Sequence, residues 1–352
     1  MTKVWDTIVI GGGQAGLASG YHLKKKGLKF LILEANNQAI GSWPNYYDSL
    51  KLFSPSHLSS LPGLKMPGKK NHYPLKNEVI SYLEEYTKKF QFPIETNKRV
   101  LDVMKHRKGF IIHTQTGETY QTRTIINATG YFQNPYMPEI MGIDIFKGEV
   151  LHSSTYQKPD HYKGKRVVVV GRGNSAVQIA IELAEASHTS LAVLQPVKFV
   201  NQKVLGIDMH FWLRVTGLDT FPFWKFGKKV PIPSAVADLG DYKAKLEAGK
   251  PEQQQMFTAF HSDGVIWSDG TKESVDTVIF ATGYLPTLTY LNNIGALDTD
   301  GKPLLVAGIS TTVPGIYFVG LEGQRSFASA TLRGVGPDAH YVVRKLIQYL
   351  KM

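Results

Sequence analysis

The sequence contains no cysteine. Disulfide scaffolds, thiolate zinc sites, iron–sulfur clusters, cysteine nucleophiles and dithiol relays are therefore excluded. The 11 histidines show neither HxH nor HExxH spacing, so we expect no metal site. Redox chemistry in this chain would have to use a bound organic cofactor.

Long apolar runs are also missing. No stretch approaches the ~18 uninterrupted apolar residues of a membrane helix, so we expect no integral membrane segment. The apolar run 7–10 begins too early to follow a signal peptide. The sequence therefore predicts a cytoplasmic protein.

Acidic residues are fewer than basic ones. Lys and Arg number 40, Asp and Glu number 29, and the formal charge is +11. This balance suits anionic partners such as nucleotides, nucleic acid or lipid headgroups. No basic helix, RNA-binding strand or zinc module accompanies the charge, so we expect no nucleic-acid partner.

At ~150 residues per domain, the 352 residues predict about two domains. Two segments share the order strand, glycine-rich turn, helix, strand and begin 160 residues apart, TIVIGGGQAG at Thr7 and VVVVGRGNSA at Val167. The unbroken apolar runs are typical of parallel strands buried on both faces. The sequence thus predicts an α/β fold with two Rossmann-like dinucleotide-binding domains.

The first turn has the GxGxxG spacing of a dinucleotide site. Its glycines make the turn, admit a pyrophosphate and let the helix pack on the strand. Glu34 follows 23 residues after the first glycine, at the end of the next strand, where a carboxylate accepts ribose hydroxyls. The candidate residues of the turn are Gly11, Gly13, Gln14, Ala15 and Gly16.

The second turn has no matching acid. Its second strand ends at Leu194 and Gln195, where no carboxylate repels a 2′-phosphate and no arginine binds one. The nearest cations are Arg172 and Lys198, so we expect NADPH to be preferred and NADH to be tolerated. The candidate residues of this turn are Gly171, Gly173, Asn174, Ser175 and Ala176.

Each repeat is followed by an apolar strand and a small-residue turn, ATG at 128–130 and at 281–283. Small residues let the backbone approach a ligand, which makes Thr129 and Gly130 candidate cofactor contacts. Proline-marked passages then predict chain crossings between the domains. Residues 196–262 are less regular, and we expect an insertion that packs on the second domain or lines a substrate pocket.

The passage between the repeats carries a further signature. Phe146, Gly148, His152 and Tyr156 match the FxGxxxHxxx(Y/F/W) fingerprint of flavin-containing monooxygenases. FATGY at 280–284 resembles a second motif of that family. GSW at 41–43 resembles its flavin segment, in the form of YUCCA-type and small bacterial members. The resemblance covers nearly the whole chain and is weakest over 196–262.

The resemblance implies FAD in the first domain and NAD(P)H in the second. It also implies hydride transfer to flavin N5 and oxygen addition at flavin C4a. The resulting C4a-hydroperoxide would oxygenate small nucleophilic sulfur or nitrogen compounds, with ketones as a further option. By position, Ser42 and Trp43 would lie along the flavin, the backbone of Val100 would meet the adenine, and Gln195 would lie near the NADP ribose.

Departures from the family pattern sharpen the expectations. Many members carry an asparagine near flavin C4a and the nicotinamide, and Ser54 is expected to replace it weakly. Tyr156, where a Baeyer–Villiger enzyme has tryptophan, argues against a typical member of that class. His152 is expected to couple the domains by hydrogen bonding.

Other functions share parts of this pattern. A flavin-dependent NAD(P)H reductase that passes electrons to a protein acceptor has the same architecture but lacks the fingerprint around His152. A nucleotide-bound redox sensor would make use of the charge. We expect a small-molecule substrate and O₂ as partners, with a homodimer as one option for the oligomeric state.

The expected domains follow the repeats. Residues 1–155 form the first part of the FAD domain, 156–284 the NAD(P)H domain with its insertion, and 285–352 the return to the FAD domain. In the return, 314–320 predicts a strand, and Gly336-Pro337-Asp338 predicts a helix start. We hypothesise that this helix points its N-terminus at the flavin pyrimidine and stabilises the anionic reduced ring.

Overall fold

The computed structural model describes residues 3–231 and 235–352. Its α-helices are α1 (Gln14–Lys25), α2 (Lys76–Phe90), α3 (Asn174–Leu183), α4 (Met209–Val215), α5 (Tyr242–Glu247) and α6 (Leu332–Leu350). Its strands are β1 (Val4–Ile10), β2 (Phe30–Leu33), β3 (Ile94–Glu95), β4 (Val100–His106), β5 (Gly109–Thr114), β6 (Thr119–Asn127), β7 (Glu149–His152), β8 (Arg166–Val170), β9 (His188–Val193), β10 (Phe199–Val200), β11 (Lys203–Val204), β12 (Ile207–Asp208), β13 (Val236–Ala237), β14 (Glu252–Gln255), β15 (Ala259–His261), β16 (Gly264–Ile266), β17 (Lys272–Ser274), β18 (Thr277–Phe280), β19 (Leu305–Val306), β20 (Ile309–Ser310) and β21 (Ile316–Phe318).

The first domain is built on a sheet whose parallel strands run in the order β21, β6, β1, β2, β3. β5 pairs antiparallel with the first half of β6, and β21 pairs with its second half. One face of the sheet packs on α1, α2 and α6. The other face packs on β4, β5 and the 3₁₀ segment Thr289–Ile294. The strand predicted at 314–320 is β21, and it returns the chain to this sheet as expected.

The second domain contains a fully parallel sheet in the order β14, β9, β8, β18, β7. Val167 and Val169 face a core formed with α3, while Val168 and Val170 face a core formed with the antiparallel meander β15–β17. Because alternate residues of β8 enter different cores, the strand is buried on both faces. The predicted α/β fold with two repeated units is confirmed.

The two chain crossings run side by side. Pro135 and Tyr284 form an antiparallel bridge. The backbone N–H of Tyr136 donates to Gly283 O (3.0 Å), and that of Leu285 donates to Asn134 O (2.9 Å). The passages that follow the two small-residue turns therefore pair with each other and fix one domain against the other.

Sheet pairing moves two expected boundaries. β7 was assigned to the first domain by the boundary at 155, but it pairs in parallel with β18 of the second sheet. β14 lies within the expected insertion 196–262, but it pairs with β9 at the edge of the second sheet. β14 could not be recognised from its polar sequence, because an edge strand with exposed side chains has no apolar periodicity.

The last helix begins earlier than predicted. α6 starts at Leu332 rather than at Gly336-Pro337-Asp338, and Pro337 lies inside the helix. Pro337 has no N–H to donate to Arg333 O, so α6 lacks that intrahelical hydrogen bond. Gly334 lets the first turn approach the preceding loop, since a Cβ there would lie 1.8 Å from Ala328 O.

Candidate active site and cofactor cavity

A single cavity of about 1310 Å³ lies where the two domains meet. Both glycine-rich turns line it, and so do the two small-residue turns. These turns follow the carboxyl ends of parallel strands, where open α/β sheets bind ligands. The two repeats of the sequence therefore face one common space.

Most of the predicted site residues line this cavity. They are Gly11, Gly13, Gln14, Ala15, Glu34, Ser42, Trp43, Ser54, Thr129, Gly130, Gly171, Gly173, Asn174 and Ser175.

Four predicted residues do not line the cavity. Gly16 is buried at the turn, where a Cβ would lie 1.9 Å from Gly11 O, and Ala176 is buried beside Gly171. Val100 lies in the core on the far side of the first sheet. Gln195 lies exposed beyond the end of β9, where its Oε1 accepts a hydrogen bond from Arg172 (2.8 Å).

Glu34 is oriented by the backbone around the first turn. Its Oε2 accepts from the N–H of Gly12 (2.6 Å), and its Oε1 accepts from the N–H of Asn36 (2.8 Å). The side chain is 2% exposed yet lines the cavity. Each oxygen keeps lone pairs beyond the one in use, so the carboxylate can accept further hydrogen bonds from hydroxyl groups.

The first turn leaves room for a ligand close to its backbone. Gly11 has φ +104°, and a Cβ there would lie 2.6 Å from Ala128 O. Gly41 has φ +63°, and its Cβ would lie 2.8 Å from the Cα of Gly13. Two backbone segments thus pack at distances that only glycine permits. Gly11, Gly13 and Gly41 line the cavity, so they present backbone rather than side-chain atoms to it.

Two buried amides near this turn have unused polar atoms. Asn127 Oδ1 accepts from the N–H and hydroxyl of Thr129 (3.2 and 3.0 Å), while its Nδ2 has no partner within the described residues. Gln14 Nε2 donates to Ala330 O (2.5 Å), while its Oε1 likewise has none. Buried polar atoms are normally satisfied. Gln14 lines the cavity, so its Oε1 is a candidate contact for a polar ligand, whereas Asn127 does not line the cavity.

The beginning of α6 lies against the same half of the cavity, which Thr331, Leu332 and Arg333 line. The preceding loop is held by the buried Asp338, which accepts from Arg325 Nε (2.8 Å) and from the Ser329 hydroxyl (2.6 Å). The positive end of a helix dipole is therefore directed at the cavity, as the hypothesis about the last helix requires.

The second turn is fixed by the insertion and by its own arginine. Asn174 Oδ1 accepts from the N–H of Ala237 in β13 (3.2 Å). The Arg172 guanidinium reaches Gln195, so a cation does occupy the end of β9, where Leu194 is 76% exposed. A Cβ at Gly173 would meet no atom within 4 Å, which leaves the helix start accessible.

His152 contacts the second crossing, where β18 ends; the predicted coupling of the two domains through this residue stays a prediction. Its Nε2 lies 3.0 Å from Gly283 O, its Nδ1 lies 3.1 Å from the Ser154 hydroxyl, and its ring packs edge-on against Tyr284. Burial lowers the pKa of His152, partly opposed by the bond to Gly283 O. A neutral, fully bonded ring that does not line the cavity is suited to positioning rather than to reacting.

Ser54 lines the cavity beside Ser59, whose Oγ lies 2.9 Å from Ser54 Oγ and 3.0 Å from Pro55 O. When Ser59 donates to that carbonyl, Ser54 donates to Ser59. Ser54 then presents an acceptor to the cavity, whereas an asparagine could also donate.

Two buried pairs at the cavity wall were not predicted from the sequence. Arg333 Nε donates to both carboxylate oxygens of Asp219 (3.0 and 3.1 Å), which ties the insertion to α6. His210 pairs with Asp208 (2.9 Å) inside the insertion and lines the cavity. Both Asp219 and Asp208 lie in irregular sequence without a recognisable motif.

Comparisons with known proteins agree with this geometry. The family described as "Pyridine nucleotide-disulphide oxidoreductase" matches residues 8–215. The protein named "Uncharacterized oxidoreductase CzcO" of Bacillus subtilis (strain 168) is 36% identical over 97% of this chain and 99% of its own. The solved structure of a flavin-containing monooxygenase from Stenotrophomonas maltophilia is 30% identical, covers 99% of both chains and superimposes with a TM-score of 0.86.

The chain belongs to the flavin monooxygenase family. It is also similar to the plant enzyme named indole-3-pyruvate monooxygenase YUCCA4 of Oryza sativa subsp. japonica, with 27% identity over 99% of this chain and 89% of the relative. The resemblance inferred from the motifs is confirmed, and the protein is an oxidoreductase. Membership implies a flavin and a pyridine nucleotide as cofactors.

This flavin monooxygenase differs in chemistry from the disulfide reductases that its wider family name mentions. With no cysteine in the sequence, no dithiol can take electrons from the flavin. Residues 3–231 and 235–352 contain no group of three or more His, Asp or Glu suited to holding a metal ion. In the same ranges, no helix has the length and apolar character needed to cross a membrane.

Proposed function

We propose that the protein is an FAD-dependent monooxygenase that uses NADPH, and NADH less well, with O₂ to oxygenate small nucleophilic sulfur or nitrogen compounds. One observation carries this proposal, namely that the two glycine-rich turns open into one cavity. Two dinucleotides bound at these turns would meet in that space. A flavin and a nicotinamide that share one cavity can exchange a hydride without a protein relay.

The first turn and its neighbours fit FAD. Gly11, Gly13, Gln14 and Ala15 would hold the pyrophosphate at the start of α1. Glu34 would accept the ribose hydroxyls with the oxygen lone pairs that the backbone leaves free. The isoalloxazine would lie toward Ser42, Trp43, Thr129 and Gly130, in the cavity that Gln14 also lines.

The second turn fits the nicotinamide cofactor. Gly171, Gly173, Asn174 and Ser175 would surround its pyrophosphate at the start of α3. Arg172, held at the end of β9 by Gln195, would pair with a 2′-phosphate. The absence of a carboxylate at that strand end keeps NADPH from being repelled, so NADPH is the better substrate.

When bound, the reduced flavin would supply activated oxygen. The chain would position the cofactors and the substrate and would exclude water from the cavity. The start of α6 would stabilise negative charge on the pyrimidine side of the ring. The Arg333–Asp219 pair would hold the insertion over the cavity and restrict water. Ser54 would accept a hydrogen bond near the reacting edge.

Soft nucleophiles are the proposed substrate class because the flavin monooxygenase motifs imply an electrophilic oxygen, and Tyr156 stands where a Baeyer–Villiger enzyme has tryptophan. The plant relatives carry the name of an indole-3-pyruvate monooxygenase, so ketones and 2-oxo acids form a second class to test.

The test is a coupling assay on the FAD-loaded enzyme. NADPH and O₂ consumption, hydrogen peroxide and product are measured with benzyl methyl sulfide, benzylamine and a 2-oxo acid. We expect one sulfoxide or hydroxylamine formed for each NADPH oxidised. Stoichiometric hydrogen peroxide that none of these compounds lowers would overturn the proposal and favour a reductase.

A further inference from the structure

The insertion carries a buried His–Asp pair at the cavity wall. Asp208 caps α4, where its Oδ1 accepts from the backbone N–H of His210 (2.8 Å) and from His210 Nδ1 (2.9 Å). Asp208 is 8% exposed and His210 is 4% exposed. His210 nevertheless lines the cavity that the two dinucleotide turns share.

The second oxygen of Asp208 is also fully engaged. Oδ2 accepts from the hydroxyl of Tyr73 (2.5 Å) and from Gln202 Nε2 (2.6 Å). Burial alone would raise the pKa of Asp208, but the bonds from His210, Tyr73 and Gln202 outweigh it and lower this pKa to about 2. The group is therefore a carboxylate at any working pH, and Asp208 holds the proton of His210 on Nδ1.

The fixed tautomer leaves the other ring nitrogen for a ligand. His210 Nε2 lies on the ring edge opposite Nδ1 and makes no hydrogen bond to the part of the chain that the structure describes. A carboxylate that orients a histidine in this way also stabilises the imidazolium that forms when Nε2 takes a proton. The pair has the arrangement of a general base.

Contacts place this pair beside Phe53, the residue before Ser54. Gln202 Nε2 lies 3.0 Å from Phe53 O, and the ring of His210 stacks on the ring of Phe53 (centroids 5.9 Å apart, 28° between planes). Phe53 precedes Ser54, and both line the cavity with Met209 and Leu213. The base therefore faces the space where a substrate would meet the oxygenating group.

We propose that His210 is the catalytic base that deprotonates the substrate, and that the substrates are thiols or alkylammonium compounds. This inference rests on the proposed function. An ammonium ion holds its only reactive electron pair in a bond to hydrogen, so it cannot attack an electrophilic oxygen until that proton leaves. A thiol keeps lone pairs on sulfur, but it is a far weaker nucleophile than the thiolate that forms when its proton leaves. The S–H or N–H bond breaks, the pair stays on sulfur or nitrogen, and the proton moves to His210 Nε2.

The overall reaction balances with the proposed co-substrates. A thiol, O₂, NADPH and a proton give a sulfenic acid, NADP⁺ and water, so NADPH supplies two electrons and O₂ is the oxidant. A thioether has a free electron pair and no S–H proton, so it needs no base. Comparing a thiol with its thioether therefore isolates the contribution of His210.

The first test compares the wild-type enzyme with His210→Gln on phenylmethanethiol and benzyl methyl sulfide, with catalase present. We expect kcat/KM for the thiol to fall ~100-fold or more, the effect of losing a general base, and kcat/KM for the thioether to change less than ~2-fold. The control is His261→Gln. His261 forms a pair of the same length with Asp263 (2.9 Å) but does not line the cavity, and we expect no change.

The outcomes separate the two proposals. If the wild-type enzyme oxygenates neither compound, the proposed function fails. If the wild-type enzyme oxygenates both compounds, the result for His210→Gln decides this inference alone. The inference is overturned if His210→Gln lowers kcat/KM by the same factor for both compounds, or lowers it for neither compound.

A second test does not depend on turnover. The FAD-loaded enzyme, labelled with ¹⁵N-histidine and kept without NADPH, is titrated with the same two compounds under nitrogen. The His210 signal is assigned by its loss in His210→Gln. We expect the thiol to shift the Nε2 resonance toward its protonated position and the thioether to leave it unmoved. An Nε2 resonance that ignores the thiol, or that responds alike to both compounds, would overturn the base role.

Discussion

At the scale of single residues, Glu34 illustrates how the backbone prepares a binding group. Both of its oxygens accept backbone N–H bonds, from Gly12 and Asn36, before any ligand arrives. The carboxylate is thus fixed in one rotamer at the edge of the cavity. A side chain oriented in advance loses little entropy when it binds, so its contribution to ligand affinity is large.

Glu34→Gln should weaken FAD binding. The amide nitrogen would face one of the two backbone N–H groups that now find an acceptor, and the charge would be lost. We expect the Kd for FAD to rise ~10- to 100-fold, the equivalent of one charged hydrogen bond. The measurement is reconstitution of the apoprotein followed by flavin fluorescence. Glu84→Gln, on the exposed face of α2, should leave the Kd unchanged. An unaltered Kd in Glu34→Gln would show that the ribose lies elsewhere.

We expect Arg172 to govern the choice between NADPH and NADH at the second turn. Arg172→Ala should raise the KM for NADPH ~10-fold, because a charge-assisted contact to the 2′-phosphate is lost, and should change the KM for NADH less than ~2-fold. Steady-state NAD(P)H oxidation measures both values. Lys198→Ala serves as the control, since Lys198 is exposed and does not line the cavity. Equal losses for both cofactors would contradict the assignment.

Leu194→Arg tests the proposed 2′-phosphate site at the end of β9 by adding a second positive charge there. Leu194 lies exposed at the end of β9 and lines the cavity, so an arginine there would place a second guanidinium near Arg172. We expect the preference for NADPH over NADH, as a ratio of kcat/KM values, to rise ~5- to 10-fold, the equivalent of about one additional ordinary hydrogen bond at an exposed site. An unchanged ratio would mean that the 2′-phosphate does not reach this strand end.

At the scale of elements, helix α1 contains two glycines with different packing. A Cβ at Gly16 would lie 1.9 Å from Gly11 O, an atom of the turn itself. A Cβ at Gly20 would meet only side-chain atoms, first the Ile32 Cδ1 at 3.0 Å. Alanine is the better helix former at both positions, so any difference between them must come from packing.

Gly16→Ala should therefore destabilise the protein by about 1–3 kcal/mol, the usual cost of overpacking, and should also weaken FAD binding because the turn must move. Gly20→Ala should stay within ~1 kcal/mol of the wild type, since helix propensity offsets a small shift of Ile32. Urea unfolding measures both. If the two variants behave alike, the third glycine of the turn has no packing role.

The elements themselves were largely predictable from the sequence. Unbroken apolar runs predicted β1 and β8, and the strand at β21 was also expected. Where local signals are weak, tertiary pairing decides the structure. The polar strand β14 is held by its partner β9, and the first turn of α6 is held by the loop at Ala328, so neither was visible in local periodicity.

At the scale of the whole molecule, the cavity forms from segments far apart in the chain. The glycine spacing predicted the two turns because each motif is local. The Arg333–Asp219 pair could not be predicted, because only the fold brings its two residues together. Asp208 and His210 are neighbours in the sequence, but only the fold places the pair at the cavity wall. The sequence thus predicts the cofactor turns, whereas the surfaces that close on a substrate require the structure.

The two ends of the chain also meet, at the contact between α1 and α6. His22 Nε2 lies 3.2 Å from Gly336 O, and its ring lies edge-on to the ring of His340. Burial, followed by the charge of His340 and of nearby Lys25 and Lys26, lowers the pKa of His22 from 6.5 to about 4, while the bond to Gly336 O opposes the shift. The folded protein therefore keeps His22 neutral where the unfolded chain would protonate it.

This difference makes stability depend on pH. Between pH 6.5 and about 4 the unfolded state binds more protons, so the contribution of His22 is complete above pH 6.5 and is lost as pH falls toward 4. His22→Gln keeps a donor for Gly336 O but cannot titrate. We expect its Tm to match the wild type at pH 7.5 and to exceed it by roughly 2–4 °C at pH 4.5. His106→Gln, at an exposed site on β4, should follow the wild-type curve throughout. Parallel curves for His22→Gln and the wild type would show that the two chain ends are not coupled through this ring.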